Sequence, residues 1–254
     1  MIGFGLDLSG YSTGGTKLAA VQIKGDTAVA VILHGSAFST YRHGVDDAQI
    51  ALAEEQENLS ECLAFGPIAV DVPIDLQGLP APENCTFIWE FTKRPVDYAF
   101  GAMAPLADRL GACVARFKAV LASSKLQSEL GRRLFETYPA ATLALLGIPN
   151  KRYKGVTGRD LCHAISNKLG FDDCNLTDHE VDAIICAVTV AAPIECRLEG
   201  KRLLQRMHET DPFTEMITSG RKEPAGFVLL DQWPCRRLEI SKEDFGTWMK
   251  KQRQ

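Results

Sequence analysis

The sequence predicts one α/β domain, built on a sheet that opens with a three-strand meander and carries a later, deeply buried central strand. Three observations lead there. Apolar runs of strand length stand at 2–8, 16–23 and 27–33, a helical apolar spacing replaces them from Val45 to Phe65, and the run IAVDV at 68–72 is nearly continuous in apolar character. A strand of that last kind has both faces covered, as parallel strands under helices do. The 254 residues are 46% apolar, 24% charged and 8% aromatic, which is the make-up of a folded globular chain and excludes disorder, collagen and coiled coil.

Each element has a local reason. IGFGLDL ends in the turn-forming string SGYSTGG, and TKLAAVQI and TAVAVIL flank Gly25-Asp26, which reads as a hairpin turn. The helix that follows carries Ile50, Leu52, Leu59 and Leu63 among many carboxylates and stops at Gly66-Pro67. Residues 73–105 hold five prolines with little periodicity, so they predict an irregular insertion over one end of the sheet. An amphipathic helix is expected over 106–127, and RRLFETYP at 132–139 reads as a strand closed by the proline that opens the helix AATLALLG. A basic loop at 151–159, a helix to about Leu169, a helix from about Asp178 to Gly200 and a late strand at 226–231 complete the chain, with 201–254 as a C-terminal extension of the same single domain.

Charge and cysteines narrow the function classes. With 28 basic and 32 acidic residues the net charge is −4, so a nucleic-acid partner must be met by a local basic patch. The eight cysteines lie at least ten residues apart with no C-x-x-C pair, which predicts small buried thiols in a reducing compartment rather than zinc or disulfides. Asp7 interrupts the apolar start that a secretory leader needs, and no uncharged apolar run of about 18 residues occurs, so a cytoplasmic protein without a membrane partner is expected.

The chemistry-bearing residues are acids. Asp7 and Asp71 each sit in an apolar strand, where an unpaired carboxylate is costly, and this asks for cations. Glu136 in LFETYP is a third candidate. In TDHEVDAIICAVTVAA, His179 and Asp182 stand three apart on one helical face, Asp178 reads as an N-cap or first-turn acid, and Glu180 is expected to face solvent. If Asp7, Asp71 and Asp182 converge, oxygen donors of this kind suit Mg²⁺ or Mn²⁺, and the chemistry suggested is metal-assisted phosphoryl cleavage.

Five blocks in order, GLDLSG (5–10), AVDVPI (69–74), ETYPAATLALLG (136–147), YKGVTGRDLC (153–162) and HEVDAIICAVTVAA (179–192), resemble the DUF429 family of predicted nucleases with a ribonuclease H-like fold. KRPVDYAFG (93–101) is similar to that family's Arg-x-x-Asp segment and singles out Arg94 and Asp97. The resemblance implies a mixed five-stranded sheet, three antiparallel strands then parallel ones, flanked by helices. It also implies a hydrolase of phosphodiester bonds in DNA or RNA, with catalytic Asp7, Asp71, Asp182 and Glu136. Asp7, Asp71, Asp182 and His179 would hold Mg²⁺ or Mn²⁺, and Arg94, Lys154 and Arg159 would bind the substrate phosphate. The first helix has no glutamate that aligns with ribonuclease H proper, so cleavage of RNA–DNA hybrids is not implied.

Two other classes compete. An actin-like or sugar-kinase-like phosphotransferase would cradle phosphate in DLSGYSTGGTK (7–17), but Pro73 stands where a second glycine-rich loop is needed. A non-catalytic nucleic-acid-binding module on the same fold would use the basic clusters at Arg132/Arg133, Lys151 to Lys154 and Arg197 to Arg206.

Overall fold

A computed structural model describes residues 2–9, 16–24, 27–34, 48–74, 108–130, 132–140, 143, 154, 176–191, 235–239, 244, 247–248 and 250–251. Strands β1 (Ile2–Asp7), β2 (Lys17–Lys24) and β3 (Thr27–His34) form the antiparallel meander. Helix α1 (Ala48–Phe65) leads to β4 (Ile68–Val70), which pairs parallel to β1. Helices α2 (Asp108–Val120) and α3 (Ser124–Gln127) precede β5 (Leu134–Glu136), which is parallel to β4. Helix α4 (Asp178–Ala191) and strand β6 (Cys235–Glu239) follow, and the sheet order is β5-β4-β1-β2-β3-β6.

The open mixed sheet with helices agrees with the α/β reading, but it has six strands where five were expected. The sixth is CRRLE, parallel to β3 at the sheet edge. The late strand expected at 226–231, most of the insertion at 73–105, the turn Gly25-Asp26 and the helix to Leu169 lie outside the described residues. The helix expected over 106–127 is broken: Ala122 and Ser123 donate to the carbonyls of Ala119 and Val120, a tightened i→i+3 turn that ends α2 before α3 begins.

Alternation along the strands makes two cores. Phe4 and Leu6 of β1, Leu18 and Ala20 of β2, Ile68 and Val70 of β4 and Leu134 of β5 share one face with Cys62, Leu63, Val114 and Phe117 of α1 and α2. On the other face Ala19, Val21, Ala30 and Ile32 meet Val181, Ile184, Ile185 and Val188 of α4. In this way α4 covers one side of the sheet, while α1 and α2 cover the other.

The seat of α4 follows from the glycines of β1. A Cβ at Gly5 would stand 1.9 Å from the Ala183 carbonyl oxygen, and one at Gly3 would stand 2.6 Å from that of Ala187. Only hydrogen at these two positions lets the helix backbone rest on the strand. Two residues of strand advance about 6.6 Å and four of helix about 6 Å, so the pairing Gly3 with Ala187/Ala191 and Gly5 with Ala183/Ala187 continues one step further. That step sets Asp7 under His179.

Candidate functional site

Three neighbouring parallel strands end in acids at one edge of the sheet. Asp7 closes β1, Asp71 follows β4, and Glu136 closes β5, with Leu6, Val70 and Glu136 in one row of the ladder. The backbone fixes this: the Asp71 N–H donates to the Leu6 carbonyl at 2.8 Å, and the Thr137 N–H donates to the Val70 carbonyl at 2.9 Å. The chain leaves β1 toward β2 but leaves β4 toward β5. The acids thus stand at the carboxyl ends of adjacent parallel strands, the end at which open α/β sheets bind ligands.

Helix α4 adds two groups. Its stripe Ala183–Ala187–Ala191 lies on β1 and extends back one turn to His179, whose Nδ1 is 2.6 Å from Asp7 Oδ2. A second stripe, Cys186 and Val190, packs with Ala69 of β4 and Phe135 of β5 and extends back to Asp182. Cys186 Sγ accepts a hydrogen bond from Thr137 Oγ1 at 3.0 Å, which ties this stripe to the end of β5. Asp182 is fully buried and Asp7 is 6% exposed.

Lys154 brings the chain's own cation. Its Nζ is 2.6 Å from Asp182 Oδ2 and 3.9 Å from Asp71 Oδ2, and its side chain is half exposed. Burial works against the ammonium charge, yet the combined field of Asp182, Asp71 and Asp7 outweighs it and pushes the Lys154 pKa above its ordinary value. Burial also pushes the Asp71 carboxyl well above the usual carboxylate range; Lys154 opposes that rise, whereas Asp7, Asp182 and Glu136 add to it. The four acids are therefore close enough to act on one another. The hydrogen bond to Asp7 raises the His179 pKa against the opposing effect of burial, so the ring is favoured as a protonated donor.

The expected site residues thus fall into three groups. Asp7, Asp71, Asp182, His179 and Lys154 are brought together. Glu136 stands at the edge of the group, its Oε2 accepting the Ile74 N–H at 2.8 Å and so pinning the segment after β4. Arg94, Asp97 and Arg159 lie outside the described residues. His179, expected as a ligand beside Asp7, stands with its Nδ1 2.6 Å from Asp7 Oδ2.

Glu180 corrects its expected place in solvent. It is buried, and its Oε2 accepts the Thr177 N–H at 2.9 Å and the Thr177 hydroxyl at 3.1 Å, while the Glu180 N–H donates back to Thr177 Oγ1. Thr177-Asp178-His179-Glu180 is a capping box, a spacing readable from the string TDHE. The cap is Thr177, so Asp178 is a first-turn acid.

Arg116 is the group that the sequence did not single out. It is 3% exposed, pairs with Glu55 at 2.6 Å, and donates through Nη1 to the Ser9 carbonyl at 2.6 Å and to Thr16 Oγ1 at 3.4 Å. Ser9 and Thr16 are themselves hydrogen-bonded, so this one guanidinium locks the start and finish of the segment that follows Asp7. No family model, curated protein or solved structure matches the chain.

The donors can be tested against a hard divalent ion. All are carboxylate oxygens, the set that Mg²⁺ and Mn²⁺ prefer, and a cation already stands between two of them in the form of the Lys154 ammonium. Among the described residues no three acid, imidazole or thiol side chains surround one point as a ready-made cage. The acids therefore suit the ion in donor chemistry, while the lysine stands between Asp182 and Asp71.

Proposed function

We propose that the chain is a metal-dependent nuclease of ribonuclease H-like architecture, hydrolysing phosphodiester bonds of DNA or RNA. The observation that carries this reading is the gathering of Asp7, Asp71 and Asp182 at the carboxyl ends of β1 and β4, where burial raises the Asp71 carboxyl well above its usual range and the neighbouring acids add to that rise against Lys154. Three antiparallel strands followed by parallel ones, with acids on the central strands, support the kinship with DUF429 that the motifs suggest. Cytoplasmic residence belongs to the same proposal and is supported by the free buried thiols of Cys62, Cys113 and Cys186. Among the described residues no helix is long and apolar enough to cross a membrane.

In this reading Asp7, Asp71 and Asp182 would hold Mg²⁺ or Mn²⁺. The ion, when bound, supplies an activated water and stabilises charge on the leaving oxygen. The chain's residues do the rest. His179 donates Nδ1–H to Asp7 and fixes that carboxylate, as outer partners of metal ligands do, and a ring favoured in its protonated form is a donor rather than a ligand. Glu136 steadies the turn after Asp71. Lys154, with Arg159 and Arg94, supplies positive charge for the phosphate.

The test is cleavage of labelled single-stranded, duplex and branched DNA and of RNA, with and without Mn²⁺, by wild type and Asp182→Asn. The expected result is Mn²⁺-dependent cleavage that falls in the variant by more than the about 10–100-fold typical of outer-shell changes. Salt-dependent nucleic-acid binding without cleavage would instead favour the non-catalytic module, in which the lysine–carboxylate contact is permanent.

A further inference from the structure

Among the described residues two cations stand against buried acids near the end of β1, and they differ in one respect. Arg116 and Glu55 are 3% and 2% exposed, and the guanidinium has further bonds to Ser9 and Thr16, so the pair cannot part without opening the core. Lys154 is half exposed, while its partner Asp182 is fully buried at the end of the Cys186–Val190 stripe. A lysine ammonium is a compact, strongly hydrated charge on a flexible stem, and water is ready to receive it. Asp182, in contrast, cannot follow it, because α4 is seated on Gly3 and Gly5.

The position of Nζ is also specific. It lies 2.6 Å from one carboxylate and 3.9 Å from a second, between an acid of α4 and an acid after β4, where a divalent ion joining the two would have to sit. Both cannot occupy it. Ligand oxygens approach Mg²⁺ at about 2.0–2.1 Å, closer than an ammonium nitrogen permits, so exchange requires the lysine to leave and the carboxylates to draw in. This agrees with acids of suitable chemistry that, among the described residues, do not surround one point.

We infer that Lys154 is an exchangeable internal counter-ion that holds the acid site shut, competing with a divalent cation for Asp182 and Asp71 and swinging into solvent when that cation binds. The inference rests on the metal-dependent reading of the site. It adds that the same ammonium, once released beside the acids, is positioned to meet the phosphate of a substrate, so that metal entry and phosphate capture are linked.

The experiment uses the full chain and Mn²⁺ alone. Calorimetry compares wild type with Lys154→Met, and a second measurement follows reductive methylation of Lys154 in wild type by mass spectrometry as Mn²⁺ is added. Mn²⁺ should bind Lys154→Met more tightly by a coupling of ordinary size, about 5–150-fold, and Lys154 should become more reactive as the ion saturates wild type. Equal or weaker binding by Lys154→Met, with correct folding shown by circular dichroism, would overturn the inference. Tighter binding with unchanged methylation would overturn it too, since the ammonium would then only repel the ion from where it stays. If neither protein binds Mn²⁺ or Mg²⁺, the metal-dependent reading falls together with this inference, whereas binding by wild type that ignores Lys154 removes this inference alone.

Discussion

His179 shows how a single contact sets a property of the whole chain. Its hydrogen bond to Asp7 raises the pKa of the ring, while burial works against that rise. Between the unfolded value of about 6.5 and the raised folded value, the native state holds more protons than the unfolded chain. The stability this pair contributes is therefore fully present below about pH 6.5 and is lost as pH climbs through the raised folded value. Asp71 acts with the same sign, because burial holds its carboxyl well above the unfolded range and its ionisation then costs native stability. The melting temperature of the wild type should decline as pH rises above about 6.5, and His179→Asn should flatten that decline. Parallel slopes in the two proteins would mean that the ring gains nothing from Asp7. Of these residues the sequence offered Asp7, Asp71, Asp182 and His179 as chemistry, since a lone acid in an apolar strand and a histidine three residues before an acid are visible in one dimension. That Lys154 would turn inward onto Asp182 was not visible, because a lysine in a basic, glycine-bearing loop carries no local sign of its long-range partner.

Helix α4 is where strand and helix periods have to agree. Its alanine stripe lies on Gly3 and Gly5, and its next turn delivers His179 to Asp7. Gly5→Ala would drive a methyl to 1.9 Å from the Ala183 carbonyl oxygen, so strand or helix must move. The cost should be about 3 kcal/mol or more, at the upper end for overpacked cores, and the site should loosen with it. Urea unfolding reads the first effect and Mn²⁺ calorimetry the second; a variant as stable as wild type would show that α4 is not held by this contact. The sign of this arrangement stands in the sequence as alternating glycines ending in aspartate, GFGLD, opposite alanines four apart in the late helix. It was legible only in retrospect, since neither pattern alone says that the other covers it. The capping box was legible outright and was missed because Glu180 was weighed as a surface acid. Strand β6 was hidden for a different reason: CRRLE has no apolar alternation, and it forms because β3 offers it an edge.

At the scale of the whole molecule, the Arg116–Glu55 pair ties the two helices on one face of the sheet to the chain just beyond β1, where the acids gather. Glu55 belongs to α1 and Arg116 to α2, both on the face opposite α4, yet Nη1 reaches Ser9 just beyond Asp7. The meander and the central strand followed from apolar runs that any α/β chain shows. This link did not, because a buried ion pair between two helices leaves only one acid and one base on otherwise ordinary helical surfaces. Its physical signature is asymmetric. Arg116→Met strands a buried carboxylate and should cost about 3–5 kcal/mol. Adding Glu55→Leu removes that stranded charge and should recover most of the loss, since a hydrophobic replacement of a whole buried pair is often neutral. The Ser9 carbonyl still lacks its donor in the double variant, so a deficit of about 1–3 kcal/mol should persist. The segment after Asp7 should then be less firmly held, and Mn²⁺ affinity should drop even though the core is intact. Urea unfolding of both variants, paired with Mn²⁺ calorimetry of the double variant, separates these contributions. A double variant with wild-type stability and wild-type Mn²⁺ affinity would show that Arg116 serves the helices alone and leaves Asp7 to be positioned by α4.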